Sequence, residues 1–164
     1  MKTIKELLAF FKKKETPKIS EPKPRLDHSL ERFVVAQELM YLRALEEVRN
    51  GRKVTHWIWY IFPQLKGLGH SNKSIYYGLD GIDEARAYLD HPILGPRLRE
   101  ITTVVLQSDK SADEIFGGID TIKLRSCMTL FAEIAEGDLF AEVLEKHFEG
   151  VKDQQTLQLL SATD

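Results

Sequence analysis

Apolar residues recur every three or four positions along most of the chain from about residue 27 onward. The longest such stripe consists of Leu30, Phe33, Val34, Tyr41, Ala44, Leu45 and Val48. This spacing places the side chains on one face of an α-helix. Asp27, His28 and Ser29 precede the stripe as candidate N-caps, and Asn50-Gly51 follows it as a helix stop. The pattern therefore predicts one long helix between these signals.

Capping residues and glycines divide the rest of the chain into shorter helices. Helices are predicted over residues 72–79, 84–89, 93–107, 122–135, 138–148 and 156–160. Ser111 and Glu114 have the spacing of a capping box, which predicts one further turn of helix before Gly117-Gly118.

The segment between the long helix and these shorter ones is more ambiguous. Residues 57–62 are continuously apolar, so periodicity alone does not separate a buried strand from a buried helix. Thr55 as a cap, Pro63 as a stop and the helical neighbours favour a short helix. No segment shows sustained apolar and polar alternation bounded by hairpin turns. The sequence therefore predicts an all-α fold, a single multi-helical orthogonal domain of about seven to eight helices over residues 27–164.

The N-terminal residues differ in charge from the rest of the chain. Residues 1–25 contain eight Lys or Arg and three Glu, a net charge of +5, which leaves −7 for residues 26–164 of a chain with net charge −2. Prolines at 17, 22 and 24 favour an extended spacer. Residues 1–26 are therefore interpreted as a basic amphipathic arm followed by a Pro-rich linker.

The arm carries its own apolar stripe. Ile4, Leu7, Leu8 and Phe11 have helical spacing and precede the basic run 12–14. Such a helix either docks on its own domain, frays in solution, or anchors the chain to an anionic membrane surface or a protein partner. All of these interpretations remain open at the level of sequence.

Composition restricts the class of protein. The chain has 164 residues, of which 43% are hydrophobic and 29% charged, as in one packed globular domain. It has no apolar run of the length that a spanning helix needs, and its lone Cys127 has no internal disulfide partner. We therefore expect a cytoplasmic protein. A pI near 6.2 indicates no specific nucleic acid partner.

Several side chains suggest a site for an anionic small molecule. Histidine exchanges protons near neutral pH, aromatic rings stack on bases or sugars, and guanidinium groups bind phosphate. The candidate ligand-binding residues are Gln37, Tyr41, His56, Trp57, Gln64, Arg97, Lys123 and Arg125. Alternatively, Trp57 fills the core, and Arg97 and Arg125 pair with acidic residues of the domain. The loop Gly67-Leu68-Gly69 either admits a ligand or is a structural turn.

Other chemistry is less supported by the pattern. Cys127 shares a helical stripe with Leu124 and Phe131, which predicts a buried thiol and not a nucleophile. The five histidines lack metal-ligand spacing, so no metal site and no cofactor are expected. His91 precedes Pro92 and is expected to bond a free backbone amide at a helix start. No catalytic residue is assigned.

Five blocks of sequence together resemble a known family. They are Phe33-Val34-x-Ala36-Gln37, Gly51-Arg52-Lys53-x-x-His56-Trp57-x-Trp59-x-x-Phe62-Pro63-Gln64, Gly67-Leu68-Gly69, His91-Pro92-x-Leu94-Gly95-x-Arg97-Leu98 and Lys123-Leu124-Arg125-Ser126-Cys127-Met128-Thr129-Leu130-Phe131. In order and spacing they resemble the bacterial domain-of-unknown-function family number 1810 over about residues 27–160. The resemblance implies a mainly helical fold and no particular activity.

A more distant likeness bears on function. Ala36-Gln37 and Leu94-Gly95-x-Arg97 are loosely similar to the NADAR group, small helical proteins associated with NAD and ADP-ribose metabolism. This likeness implies a pocket for a phosphate-bearing, nucleotide-like molecule such as an ADP-ribose derivative, with N-glycosidic hydrolysis as the associated reaction. The alternative is a non-catalytic protein-interaction or membrane-interaction module that the basic N-terminal arm tethers.

Overall fold

The computed structural model describes residues 26–162, together with Thr3 and Lys5. Within this part of the chain there are nine helices. They are α1 (Leu26–Arg49), α2 (Ile58–Ile61), α3 (Asn72–Tyr77), α4 (Ile82–Asp90), α5 (Leu94–Gln107), α6 (Ala112–Phe116), α7 (Gly118–Ile134), α8 (Leu139–Phe148) and α9 (Gln154–Ser161). The apolar stripe and Pro-rich linker predicted for the arm lie outside the described residues.

The all-α prediction is confirmed. Between residues 26 and 162 the backbone forms no strand, and its one β-type pairing is an isolated parallel bridge between Leu65 and Leu79. The described residues form nine helices where about seven to eight were predicted, and the two shortest, α2 and α6, have four and five residues.

Most predicted helix starts are confirmed by the observed caps. The Ser71 hydroxyl accepts a hydrogen bond from the Ser74 amide at the start of α3, and Ser111 forms the expected capping box with Glu114. His91 Nδ1 accepts from the amide of Ile93 at 3.1 Å, as expected of an imidazole at a helix start. Each cap satisfies amides that have no partner within the helix.

Several predicted boundaries are wrong. The helix α1 begins at Leu26, so Asp27 lies inside its first turn instead of capping it. The helix α7 begins at Gly118, four residues before the start predicted at residue 122. The helices α4 and α9 each begin two residues before the starts predicted at residues 84 and 156. Thr55 does not cap α2, because its hydroxyl donates to Glu47 instead.

The core forms where α1, α5, α7 and α8 pack against one another, with α4 between α5 and α7. Six of its side chains are 0% or 1% exposed: Phe33, Trp57, Ile61, Leu98, Leu124 and Phe131. The short helix α2 packs on α1 and α7 and leads into α3. This position brings Trp57 into the core and leaves the neighbouring Trp59 only partly covered.

None of the described helices is both long enough and apolar enough to cross a membrane.

Candidate functional site

One of the candidate residues, Gln37, belongs to a buried hydrogen-bond network between α1, α2 and α4. Gln37 and Tyr41 lie one turn apart on α1 and are 2% and 5% exposed. Gln37 Nε2 donates to the carbonyl oxygen of Tyr60 at 2.7 Å and to the hydroxyl of Tyr88 at 2.9 Å. The Tyr88 hydroxyl donates in turn to the Tyr60 carbonyl at 3.3 Å. The network therefore fixes α2 against α1 at the residue that follows Trp59.

Two further candidates, Tyr41 and Arg97, contact each other where α1 packs on α5. The guanidinium carbon of Arg97 lies 5.0 Å from the centroid of the Tyr41 ring. The Tyr41 hydroxyl donates to the Glu100 carboxylate, and burial together with this carboxylate raises the pKa of Tyr41 well above its usual range. Arg97 forms no ion pair with a carboxylate in the described part of the chain, and its buried Nη1 has no hydrogen-bond partner there. The expected pairing of Arg97 with an acidic residue is thus absent from the described contacts.

Trp57 lies in the core beside a carboxylate that the sequence analysis missed. The Trp57 ring is 0% exposed, and its Nε1 donates to Glu47 Oε1 at 3.1 Å. Glu47 also accepts from the amides of Val54 and Thr55, at 2.7 and 2.8 Å. These contacts support the core interpretation of Trp57. They tie the loop after α1 to the helix that precedes it.

The surroundings of Glu47 favour its ionised form. Burial opposes ionisation, but the hydrogen bonds that the carboxylate accepts outweigh it and hold the pKa of Glu47 below its usual range. A group whose pKa is lower in the folded state stabilises the fold above its unfolded pKa, and this contribution disappears as the pH falls through the folded pKa.

The Glu47→Gln variant is therefore expected to be less stable than the native chain at pH 7, with a difference that shrinks below about pH 4. Denaturant unfolding at a series of pH values measures this. Glu38→Gln, an exposed change on the same helix, is the matched control and is expected to show no such trend. Equal stability losses for Glu47→Gln at pH 3.5 and pH 7 would contradict the assignment.

Another group of side chains lies around Trp59. We call it the Trp59 patch, and its members are Trp59, Lys73, Lys123, Asp120 and Lys53. Lys73 Nζ lies 4.7 Å and Lys123 Nζ lies 4.9 Å from the centroid of the Trp59 ring. Asp120 pairs with Lys53 at 2.8 Å and more weakly with Lys123 at 3.9 Å. The patch thus brings two ammonium groups to one indole ring and pairs one carboxylate with Lys53 and Lys123, on a domain whose overall charge is negative.

Two atoms of the Trp59 patch lack the partner expected of them. Lys73 forms no ion pair with any carboxylate of residues 26–162. Trp59 Nε1 is buried and has no hydrogen-bond partner among the described residues. No sequence pattern marks Lys73, because it lies in the first turn of the short helix α3, 14 residues from Trp59 along the chain.

The candidates His56 and Arg125 make no contact with the Trp59 patch among the described hydrogen bonds, ion pairs and ring contacts. His56 is exposed and forms no hydrogen bond or ion pair with another described side chain. Arg125 has a buried Nε without a partner in the described part of the molecule. It lies two positions from Lys123 on α7, so the two side chains leave the helix in different directions. The eight candidates therefore do not form one pocket.

The glycine loop is shaped by packing. A Cβ at Gly69 would lie 2.5 Å from Ser74 Oγ and 3.6 Å from Nε2 of the buried Gln64, so this close approach requires glycine. Beside the loop lies a groove of about 460 Å³, lined by Gly67, Leu68, His70, Gln155, Gln158, Leu159 and Ala162. This lining includes no lysine, arginine or carboxylate, so the groove is not suited to an anion.

Cys127 is fully buried, and burial raises the pKa of its thiol. This confirms the expectation that it packs as a small apolar side chain. Among the described residues, no group of three or more His, Cys, Asp or Glu side chains is arranged to hold a metal ion.

Comparison with known proteins identifies the family. A family model described as "Protein of unknown function (DUF1810)" matches residues 27–160. The chain belongs to the DUF1810 family. This confirms the resemblance that the five sequence blocks carry. The match excludes residues 1–26, so the basic arm precedes the DUF1810 domain.

A solved structure shares the DUF1810 fold of this chain. It is the crystal structure of the conserved hypothetical protein Rv1873 from Mycobacterium tuberculosis, which is 47% identical and superposes with a TM-score of 0.79. The similarity covers 81% of this chain and 96% of that protein. No curated protein sequence matches the chain significantly.

Proposed function

We propose that the DUF1810 domain binds a phosphate-bearing, nucleotide-like small molecule, and that the Trp59 patch is where it binds. The observation that carries the proposal is the position of Lys73 and Lys123, each with its ammonium group within 5 Å of the centre of one indole ring. Asp120 neutralises only part of this charge, since its closer contact is with Lys53.

The chemistry of the patch matches the two halves of such a ligand. A phosphate at this ring accepts charge-assisted hydrogen bonds from the ammonium groups of Lys73 and Lys123. The partly exposed indole of Trp59 is the apolar surface that a base or sugar contacts. Its Nε1 is buried, so the ring offers the ligand no hydrogen bond.

Gln37, Tyr41 and Arg97 have a supporting role in this proposal. Gln37 and Tyr41 are almost completely buried, and the Gln37 amide holds the Tyr60 carbonyl, which belongs to the residue after Trp59. Gln37 is therefore a positioning residue for the Trp59 ring. His56 lies on the surface of the segment that precedes α2 and is free to contact a ligand that extends beyond the patch.

We propose binding rather than N-glycosidic cleavage. Glycoside hydrolysis ordinarily uses two carboxyl groups, one as acid and one as nucleophile or base. In the described part of the chain, the Trp59 patch contains a single carboxylate, Asp120, which is ion-paired with Lys53 at 2.8 Å.

Thermal melts with ADP-ribose, AMP and inorganic phosphate test the proposal, with ribose as the uncharged control. A ligand at about 100 times its Kd adds roughly 2.7 kcal/mol to the stability of the folded state, so the native chain is expected to melt at a clearly higher temperature. Lys73→Ala and Lys123→Ala are expected to reduce this shift strongly at low salt while changing the ligand-free melt little. Lys152→Ala, which removes an exposed lysine paired with Glu133, is the matched control and is expected to keep the shift.

Tryptophan emission locates the ligand. Because Trp57 is fully buried, the Trp59→Phe variant is expected to lose the change in fluorescence that the ligand causes. If Lys73→Ala and Lys123→Ala keep the full thermal shift and Arg97→Ala loses it, the ligand binds at Arg97, beside Gln37 and Tyr41, and not at the Trp59 patch. The absence of a shift with every phosphate compound would reject the function.

A further inference from the structure

A surface groove separates α1 from α3. It has a volume of about 440 Å³ and is lined by Glu31, Arg32, Val35, Ala36, Leu39, Tyr76 and Tyr77. We call it the α1–α3 groove. It is a different surface from the Trp59 patch, because none of its lining residues belongs to that patch.

The α1–α3 groove is bordered by large apolar side chains that the described residues leave uncovered. Val35 is 53% exposed, Leu39 85% and Leu42 78%, and their spacing along α1 places them on one stripe. Tyr76 of α3 is 59% exposed on the facing wall. The other face of α1 carries the core residues, so this long helix is apolar on two sides. A contiguous exposed apolar surface of this kind is typical of a binding site.

We propose that the N-terminal arm of the same chain occupies this groove, with the apolar side chains of residues 4–11 packed against Val35, Leu39 and Tyr76. The sequence of the arm predicts an amphipathic helix, and an amphipathic helix in an apolar groove is a common mode of peptide recognition. The four apolar residues of the arm are aliphatic or aromatic, like the exposed Val35, Leu39 and Tyr76 at the groove.

The length of chain between the stripe and the groove permits this arrangement. Residues 12–25 span up to about 45 Å when extended. Val35 lies nine residues into α1, only about 14 Å along the helix from Leu26. The linker is thus long enough for the arm to turn back along α1. Its prolines favour an extended path over a continuation of the helix.

Charge also favours the arm as the occupant. The arm carries a net charge of +5 and the rest of the chain −7. Glu31 lines the groove, and Glu38 is exposed between Val35 and Leu42 on α1. The one cation among the lining residues, Arg32, is already paired with Glu84 at 2.6 Å. The lysines of the arm therefore meet carboxylates at this surface.

Cysteine cross-linking in the full-length chain tests the proposal. The double variant Leu8→Cys with Leu39→Cys is expected to form an intramolecular disulfide under mild oxidation at low protein concentration. The matched control is Leu8→Cys with Ile122→Cys, which places the second thiol at an exposed apolar position on α7 and is expected to cross-link at least tenfold less. Native Cys127 remains in both variants, because its buried thiol does not compete. Peptide mapping by mass spectrometry under non-reducing conditions identifies the product.

Hydrogen exchange gives an independent readout. Amides of residues 4–11 are expected to be protected in the native chain and to exchange faster in the variant Val35→Asp with Leu39→Asp, which changes only exposed side chains. Equal cross-linking of the two cysteine pairs would overturn the proposal. Disulfide-linked dimers would instead assign the groove to a second copy of the chain. Binding of the arm to anionic vesicles, with no cross-link to Leu39→Cys, would assign the arm to a membrane surface.

Discussion

Replacement of Trp57 with alanine is expected to lower the free energy of unfolding by about 3–5 kcal/mol, the range found for buried aromatic residues. The Trp57 ring is 0% exposed and lies 6.2 Å, between centroids, from the rings of both Phe62 and Phe116. Alanine leaves a cavity between these rings and removes the donor to Glu47. Equilibrium unfolding in denaturant, followed by circular dichroism, measures the loss.

The chain supplies a control of the same residue type two positions away. Trp59 is only partly buried and its Nε1 has no partner among the described groups, so Trp59→Ala is expected to cost clearly less than Trp57→Ala. A loss below about 1 kcal/mol for Trp57→Ala would be incompatible with a buried ring. Equal losses for the two variants would also contradict the distinction between a core tryptophan and a patch tryptophan.

The sequence was sufficient to predict the helices because their signals are local. Apolar spacing along α1 reports which face is buried, and Ser71, Ser111 and His91 report where helices begin through bonds that span only two or three residues. Local signals fail at Thr55. Its hydroxyl could cap a helix, but it donates instead to Glu47 on the preceding helix, eight residues earlier. A capping rule considers only the few residues that follow the cap, so it does not predict this competing partner.

The candidate site was less predictable because its contacts join distant segments. Lys73 and Lys123 are fifty residues apart in the chain, yet both reach the Trp59 ring. Residue type alone identified Lys123 but gave no reason to select Lys73. Likewise, Gln37 and Arg97 were chosen as ligand-binding residues because of their chemistry, whereas burial and hydrogen bonding place Gln37 inside the helix packing. A side chain must be exposed to contact a ligand, whereas a positioning side chain is buried. Sequence alone does not show which of the two applies.

The second large effect on stability is expected at an ion pair that holds α1 to α3 and α4. Arg32 Nη2 lies 2.6 Å from Glu84 Oε1, and the two side chains are only 13% and 6% exposed. Arg32 also donates from Nε to the Tyr76 carbonyl at 2.8 Å and from Nη2 to the Gly78 carbonyl at 3.1 Å. The pair therefore fixes the C-terminal end of α3 against two other helices.

Glu84→Ala is expected to lower the free energy of unfolding by about 3–5 kcal/mol, because it leaves the Arg32 guanidinium largely buried without its carboxylate. A double-mutant cycle uses Arg32→Met, Glu84→Leu and their combination beside the native chain. The double variant removes both charges and keeps most of the volume, so it is expected to be more stable than either single variant. Denaturant melts of all four proteins give the coupling energy directly. Additive losses in this cycle would show that the two side chains act independently. Because the pair anchors the Tyr76 backbone, Glu84→Ala is also expected to loosen the wall of the α1–α3 groove and to accelerate hydrogen exchange in α3.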